Sequence, residues 1–250
     1  MTRLRLGLPS GEYVQNLTAP FLCRLRSLVP LTPYEERFVE TLHLPMHGFD
    51  AGAHIYTEGD SPPAPWIVGV GWACRLRVLP DGRRQIFSFL LPGDTIGVHE
   101  TAHPAIQPTI LAITNVKLLN AMKLAEAIGR ADESIANIIQ ACRKQLIWTQ
   151  AQLLDQIQRL GRLTALERMA HLLLELHYRM QDAGLAEEGR FPLPLTQSQF
   201  GEALGLSLVH VNRTLQQLRH ERLIELKPGR VAILDRERLE LLCDFRKPSV

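Results

Sequence analysis

Between Ser207 and Arg230 the 250-residue chain carries Arg213, Arg219, Arg222, Lys227 and Arg230 against only Glu221 and Glu225, a local charge of +3. Asn212 and Arg213 stand side by side there, behind Leu208, Val209 and His210. Arg can bond guanine O6 and N7 with two parallel donors, Asn can pair with adenine, and an apolar Val can touch a thymine methyl. A basic run of this kind suits a phosphate-bearing surface, and a solvated helix face is the plainer alternative.

Such side chains need a rigid support, and the local spacing supplies one. Thr196 with Gln199 three residues later is a capping box that starts a helix. Gly205, free to take positive φ, predicts its end near Leu204, and Ser207 caps a second helix to about His220. Phe200, Ala203, Leu206, Val211, Leu215 and Leu218 can form the core shared by the two. Two short helices joined by a Gly-containing turn make a helix-turn-helix, whose second helix enters the DNA major groove. The segment "LIELKPGRVAIL" reads as two strands around Lys-Pro-Gly, a hairpin wing. The expected contacts to double-stranded DNA are Thr196, Gln197, Ser207, Leu208, Val209, His210, Asn212, Arg213 and Arg219, with Lys227 and Arg230 from the wing.

The preceding chain divides by pattern. Residues 1–20 form an N-terminal extension, and helical periodicity up to about residue 45 is broken by Pro30 and Pro33. From His47 to about Met122, short strands such as "QIFSFLL" and "TILAIT" alternate with Gly, Pro and Asp corners, which predicts a small antiparallel roll over 21–124. A long helix over 125–161 follows, ended by Gly161. In it Ile135, Ile139, Cys142, Leu146, Thr149, Leu153, Gln156 and Leu160 recur at steps of four and three. That 3.5-residue repeat fits a homodimer seam, and the alternative is a helix packed on its own core. Leu166, Met169, Ala170, Leu173, Leu174 and His177 predict one buried face on the next helix, where His171 and His177 read as ordinary helix residues. Residues 162–250 complete a winged helix-turn-helix domain, so the fold class is α+β.

Composition narrows the function classes. With 46% apolar and 22% charged residues the chain is globular, and its net charge of +2 does not by itself mark a nucleic-acid binder. Cys23, Cys74, Cys142 and Cys243 lie far apart with no zinc-type spacing, as expected of free thiols in a reducing compartment. "MTRLRLGLPS" lacks the apolar run of a signal peptide, and no segment approaches a membrane span, so the expected location is cytoplasmic. No HExxH, GxSxG, P-loop or dinucleotide fingerprint occurs, which argues against an enzyme.

Three stretches together, "AGAHIYTEGD", "GWACRLRVLPDGRRQIFSFLLPGDTIG" and "LTQSQFGEALGLSLVHVNRTLQQLRHERLIEL", resemble the superfamily of the cyclic-AMP receptor protein and the oxygen regulator FNR, over about residues 20–245. The nearest likeness is to a branch with an "HVNRTLQ" recognition helix. The resemblance implies a transcriptional regulator with an N-terminal β-roll like the cyclic-nucleotide-binding jelly roll, a dimerisation helix and a C-terminal winged helix-turn-helix. It also implies RNA polymerase as a further partner.

The departures from the family pattern bear on the signal. Cyclic-AMP binders place Gly-Glu at the position of Gly97-Val98 and Arg-Ser near Ile106-Gln107, so cyclic AMP loses its ribose and phosphate partners here. Of the cysteines that hold an FNR-type iron–sulfur cluster only Cys23 lies in the N-terminal region, which argues against that cluster. Arg213 matches the family's guanine-reading Arg. Val209 stands where Glu is usual, and Asn212 where FNR-like proteins have Ser and cyclic-AMP receptors Gly. The effector is therefore unknown. The rival reading on this fold is a haem- or metal-dependent gas or redox sensor using His99 and His103 of "VHETAH", against the plainer reading of two ordinary histidines.

Overall fold

The computed structural model describes residues 17–43, 45–60, 64–98 and 108–247. Helix α1 (Ala19–Leu28) and helix α2 (Pro33–Glu40) precede eight strands. Pro33 opens α2 behind Thr32, whose hydroxyl accepts from Glu35 N while the Glu35 carboxylate accepts from Thr32 N. The strands are β1 (Met46–Phe49), β2 (His54–Tyr56), β3 (Trp66–Val70), β4 (Ala73–Val78), β5 (Arg84–Leu90), β6 (Thr95–Ile96), β7 (Thr109–Ala112) and β8 (Val116–Asn120). They form two antiparallel four-stranded sheets, ordered β1-β8-β3-β6 and β2-β7-β4-β5. Because the chain alternates between the sheets, they close into a roll around Val68, Leu90, Ile96, Ile110 and Leu118. Gly71 turns β3 into β4 at φ +89°, and a Cβ there would lie 2.2 Å from Asn115 O, so only glycine fits.

After α3 (Met122–Gly129) comes α4 (Ala136–Arg162), a 27-residue helix. Its first turn rests on buried Glu35, whose Oε1 accepts from Asn137 N at 2.8 Å and Ile138 N at 3.3 Å. A carboxylate here satisfies orphan donors and complements the helix dipole. Burial opposes its charge, but hydrogen bonds from Thr32 and Asn137 hold the carboxyl below its ordinary range.

The seam expected along α4 is corrected by this packing. Ile135, Ile139 and Cys142 are buried against Phe21, Leu25 and Leu124 of their own chain, and Gln156 is buried as well. Thr149 and Leu160 are half-buried, which leaves only Leu146 and Leu153 of the expected set facing solvent. The exposed apolar stripe is one residue over, at Ile147, Leu154 (67% exposed) and Ile157 (68%), with Leu146 and Leu153 on its flank. A heptad repeat marks an apolar face, but α1 and the roll decide how much of it this chain covers. Gly161 does not end the helix either: α4 runs through it to Arg162, and extended Leu163 leads into a capping box of Thr164 and Glu167.

Helix α5 (Ala165–Asp182) is buried all round from Met169 to His177, not on one face. It touches α1, α4, β9 (Arg190–Pro192), α6 (Gln197–Leu204), α7 (Leu208–His220) and α8 (Arg236–Cys243). One apolar core is continuous across residue 162, joining Trp72, Leu76, Ile86 and Phe89 of the roll to Leu172, Leu176, Phe200 and Val211. The three-stranded wing sheet, in order β10-β11-β9, adds β10 (Ile224–Lys227) and β11 (Arg230–Ile233). Among the described residues no helix is long and apolar enough to cross a membrane.

Candidate nucleic-acid interface

The two-helix unit is built by its caps. Thr196 Oγ1 accepts from Gln199 N at 3.2 Å, and Gln199 Oε1 accepts from Thr196 N at 2.8 Å. Gly205 ends α6 in the left-handed region at φ 64°, ψ 37°. Ser207 Oγ then accepts from His210 N at 3.3 Å and lies 3.0 Å from His210 Nδ1. Val211, Thr214, Leu215 and Leu218 turn the inner face of α7 into the core with Phe200 and Ala203, and Leu206 packs at its edge.

The outer face of α7 is open. Leu208, Val209 (76% exposed), His210, Asn212, Arg213 and Arg219 all face solvent, as do Thr196 and Gln197 at the start of α6. Among the described residues Arg213, Arg219 and Arg230 form no ion pair, so their donors are free for a ligand. Lys227 is less free, lying 3.1 Å from Glu225 on the same wing strand. Lys227 and Arg230 face each other across the Pro228-Gly229 corner, where Gly229 takes φ 71°. Sequence reasoning missed Gln216 and His220, which with Arg219, Arg222 and Lys227 line an open groove of about 610 Å³ between α7 and the wing. Arg222 holds a left-handed φ of 56° at that bend, and its residue type carries no signal of it.

Behind this face lies a buried ionic junction that the sequence reading also missed. Asp94, in the turn after β5, accepts from Arg24 of α1 at 2.9 Å and from Arg179 of α5 at 2.6 Å. Arg179 also donates to Phe89 O at 2.8 Å and pairs with Glu175 at 3.0 Å, and Glu175 pairs in turn with Arg159 of α4. Burial opposes the charge on Asp94, but Arg179 and Arg24 outweigh it and hold the carboxyl below its ordinary range. Glu175 is lowered against burial in the same way by Arg159 and Arg179. Burial, then Arg159, push neighbouring His171 down to about 4. The ladder His171, Glu175, Arg179 at four-residue steps was the available signal: three ionisable residues on one stripe of a mostly apolar helix.

Arg75, Ser88, Asp94, Thr95, Gln145, Thr149 and Gln152 border a space of about 20 Å³ between the roll and α4, room for about one water. Val98, after Gly97, is buried and apolar. Ile106, Gln107, His99 and His103 lie outside the described residues. Among the described residues no three His, Cys, Asp or Glu converge as a metal site. Burial pushes the thiols of Cys74, Cys142 and Cys243 up to about 12.

A roll, a long helix and a winged helix-turn-helix with an open basic face define a DNA-binding regulator. Residues 46–123 match the model of the cyclic nucleotide-binding domain, and residues 167–242 that of the Crp-like helix-turn-helix domain. The nitrogen fixation regulation protein FixK of Bradyrhizobium diazoefficiens is 31% identical over 94% of this chain and 95% of its own length. FixK of Rhizobium meliloti is 29% identical over 82% and 95%. The solved structure of FixK2 from Bradyrhizobium japonicum superposes with a TM-score of 0.66 at 28% identity, covering 79% of this chain and 96% of that one. The chain belongs to the CRP/FNR family of DNA-binding transcriptional regulators. By name these relatives are regulation proteins.

Proposed function

We propose that the protein acts in the cytoplasm as a homodimer on an inverted-repeat operator, with RNA polymerase as its further partner. The observation that carries this reading is the two-sided α7: Val211, Thr214, Leu215 and Leu218 are buried, while Val209, Asn212 and Arg213 are exposed with Arg213 unpaired. Two copies pair along Ile147, Leu154 and Ile157 of α4, apolar side chains that a lone chain leaves in water. A two-fold dimer sets its recognition helices about one DNA turn apart, so half-site centres lie about 10 base pairs apart. Arg213 reads guanine, Val209 packs on a thymine methyl, Thr196 and Gln197 meet the phosphate backbone, and Lys227 and Arg230 follow it from the wing. The "HVNRTLQ" helix thus defines a half-site distinct from those read through a Glu at the Val209 position. Cyclic AMP and an FNR-type cluster are not its signals in this reading, because Val98 stands in place of the ribose-binding Glu and Cys23 is the one cysteine of the N-terminal region.

The test is selection of bound sites from random duplex DNA, followed by competition over every single-base variant. Arg213→Ala is expected to cost about 1–3 kcal/mol and to relax preference at one base pair. An even loss across all variants would make Arg213 a backbone contact and overturn the assignment.

A further inference from the structure

The last carbonyls of a helix have no partner within it. In α6 those of Ala203 and Leu204 are taken by side chains from three other elements. Gln156 Nε2 of α4 donates to Ala203 O at 2.6 Å, and Gln85 Nε2 of β5 reaches the same oxygen at 3.4 Å. Arg168 Nη1 of α5 donates to Leu204 O at 3.0 Å. At the residue before Ala203, Arg84 Nε and Nη2 of β5 hold Glu202 Oε1 of α6 at 3.1 and 2.8 Å. The Gly205 corner itself lies against Leu160 of α4.

We propose that Gln156, Gln85, Arg168 and the Arg84–Glu202 pair are positioning residues that set the angle of α7 to the dimer axis, and so the half-site spacing the protein accepts. Helix α7 shares a core with α6 and follows it through a short corner, so whatever holds the end of α6 holds the reading helix. Gln156 precedes Ile157 of the exposed stripe, which puts the fastening on the same turn of α4 that meets the second copy. The roll reaches the same point through β5, so displacement of the β4–β5 hairpin is felt at the reading face. Adding one base pair between half-sites moves them by about 3.4 Å and about 35°, which a loosely hinged head tolerates and a clamped one does not. The inference rests on the dimeric reading above.

The experiment measures affinity for the selected operator and for versions with one base pair added or removed between half-sites. Gln156→Leu is expected to shrink the preference for the correct spacing at least about fivefold, since a buried carbonyl loses its main donor. Arg84→Glu should shrink it about two- to fivefold, as befits a partly exposed pair, and Arg84→Glu with Glu202→Arg should restore it. A merely structural role would weaken binding to every spacing alike and leave the ratio untouched. Hydrogen exchange of residues 197–205 in DNA-free protein is the second arm, expected to quicken in Gln156→Leu and Arg84→Glu and to recover in the swap. If the wild type sediments as a monomer, the dimeric reading fails and exchange alone decides the clamp, which unchanged exchange would overturn. A dimer with no spacing preference, or a discriminating one whose ratio the variants leave unchanged, overturns the proposal.

Discussion

Arginine is used in two opposite ways within one molecule. On α7 and the wing, Arg213, Arg219 and Arg230 stand in solvent without an acidic partner. At the junction, Arg24, Arg159 and Arg179 are buried and bound to Asp94 and Glu175. An exposed guanidinium costs little to keep and remains available to a phosphate or a base edge. A buried one needs its acids, because an uncompensated charge in the interior is expensive. Loss of the first kind should be silent in the free protein and visible on DNA, whereas loss of the second should be visible in the free protein.

The largest effect expected is at the junction. Arg179→Met leaves Asp94 and Glu175 short of a cation and should lower stability by about 3–5 kcal/mol, read as a shift in urea midpoint. Arg213→Ala in the same assay should stay within about 0.5 kcal/mol of wild type. Equal midpoints for the two variants would dissolve the contrast.

Next comes the long helix, where the covered and open faces lie side by side. Ile139→Ala should cost about 2–4 kcal/mol of stability, as a core truncation does. Leu154→Asp with Ile157→Asp should instead give a folded monomer by sedimentation that no longer retains operator DNA. A double variant that stays dimeric would place the second copy elsewhere.

The acid side sharpens the comparison further. Folded His171 holds its proton affinity down at about 4, whereas an unfolded histidine takes a proton near 6.5. The unfolded chain therefore binds more protons between these values, and stability falls as pH drops through that window, by up to about 1.4 kcal/mol per unit. His171→Gln should flatten part of this slope, with His177, also lowered by burial, keeping the rest. A midpoint profile unchanged by the substitution would separate His171 from the acid response. The smallest effect is expected on the wing: Arg230→Ala should reduce the salt slope of DNA binding by about one unit. Lys227→Ala should reduce it less, because Glu225 already shares its charge.

The helix-turn-helix was legible because everything that builds it is local. Thr196 and Gln199 cap each other within one turn, Gly205 supplies the left-handed corner, and Ser207 caps the next helix. The strand corners of the roll and the wing were legible for the same reason, in turn residues such as those at Gly71 and at Pro228-Gly229. Arg24 was not, since nothing in "FLCRLRSL" separates it from the exposed Arg26 two residues on.

By itself the sequence determined the order of elements, the two-sided α7 and the family, because caps, corners and periodicity act over a few residues and survive in any context. Tertiary structure alone decided which face of α4 is free, that α5 is buried on every side from Met169 to His177, and that Asp94 gathers Arg24 and Arg179 from 70 and 85 positions away. Those outcomes depend on which surfaces the remote chain covers, and burial of a charge or an apolar stripe becomes favourable only once its distant partners have arrived.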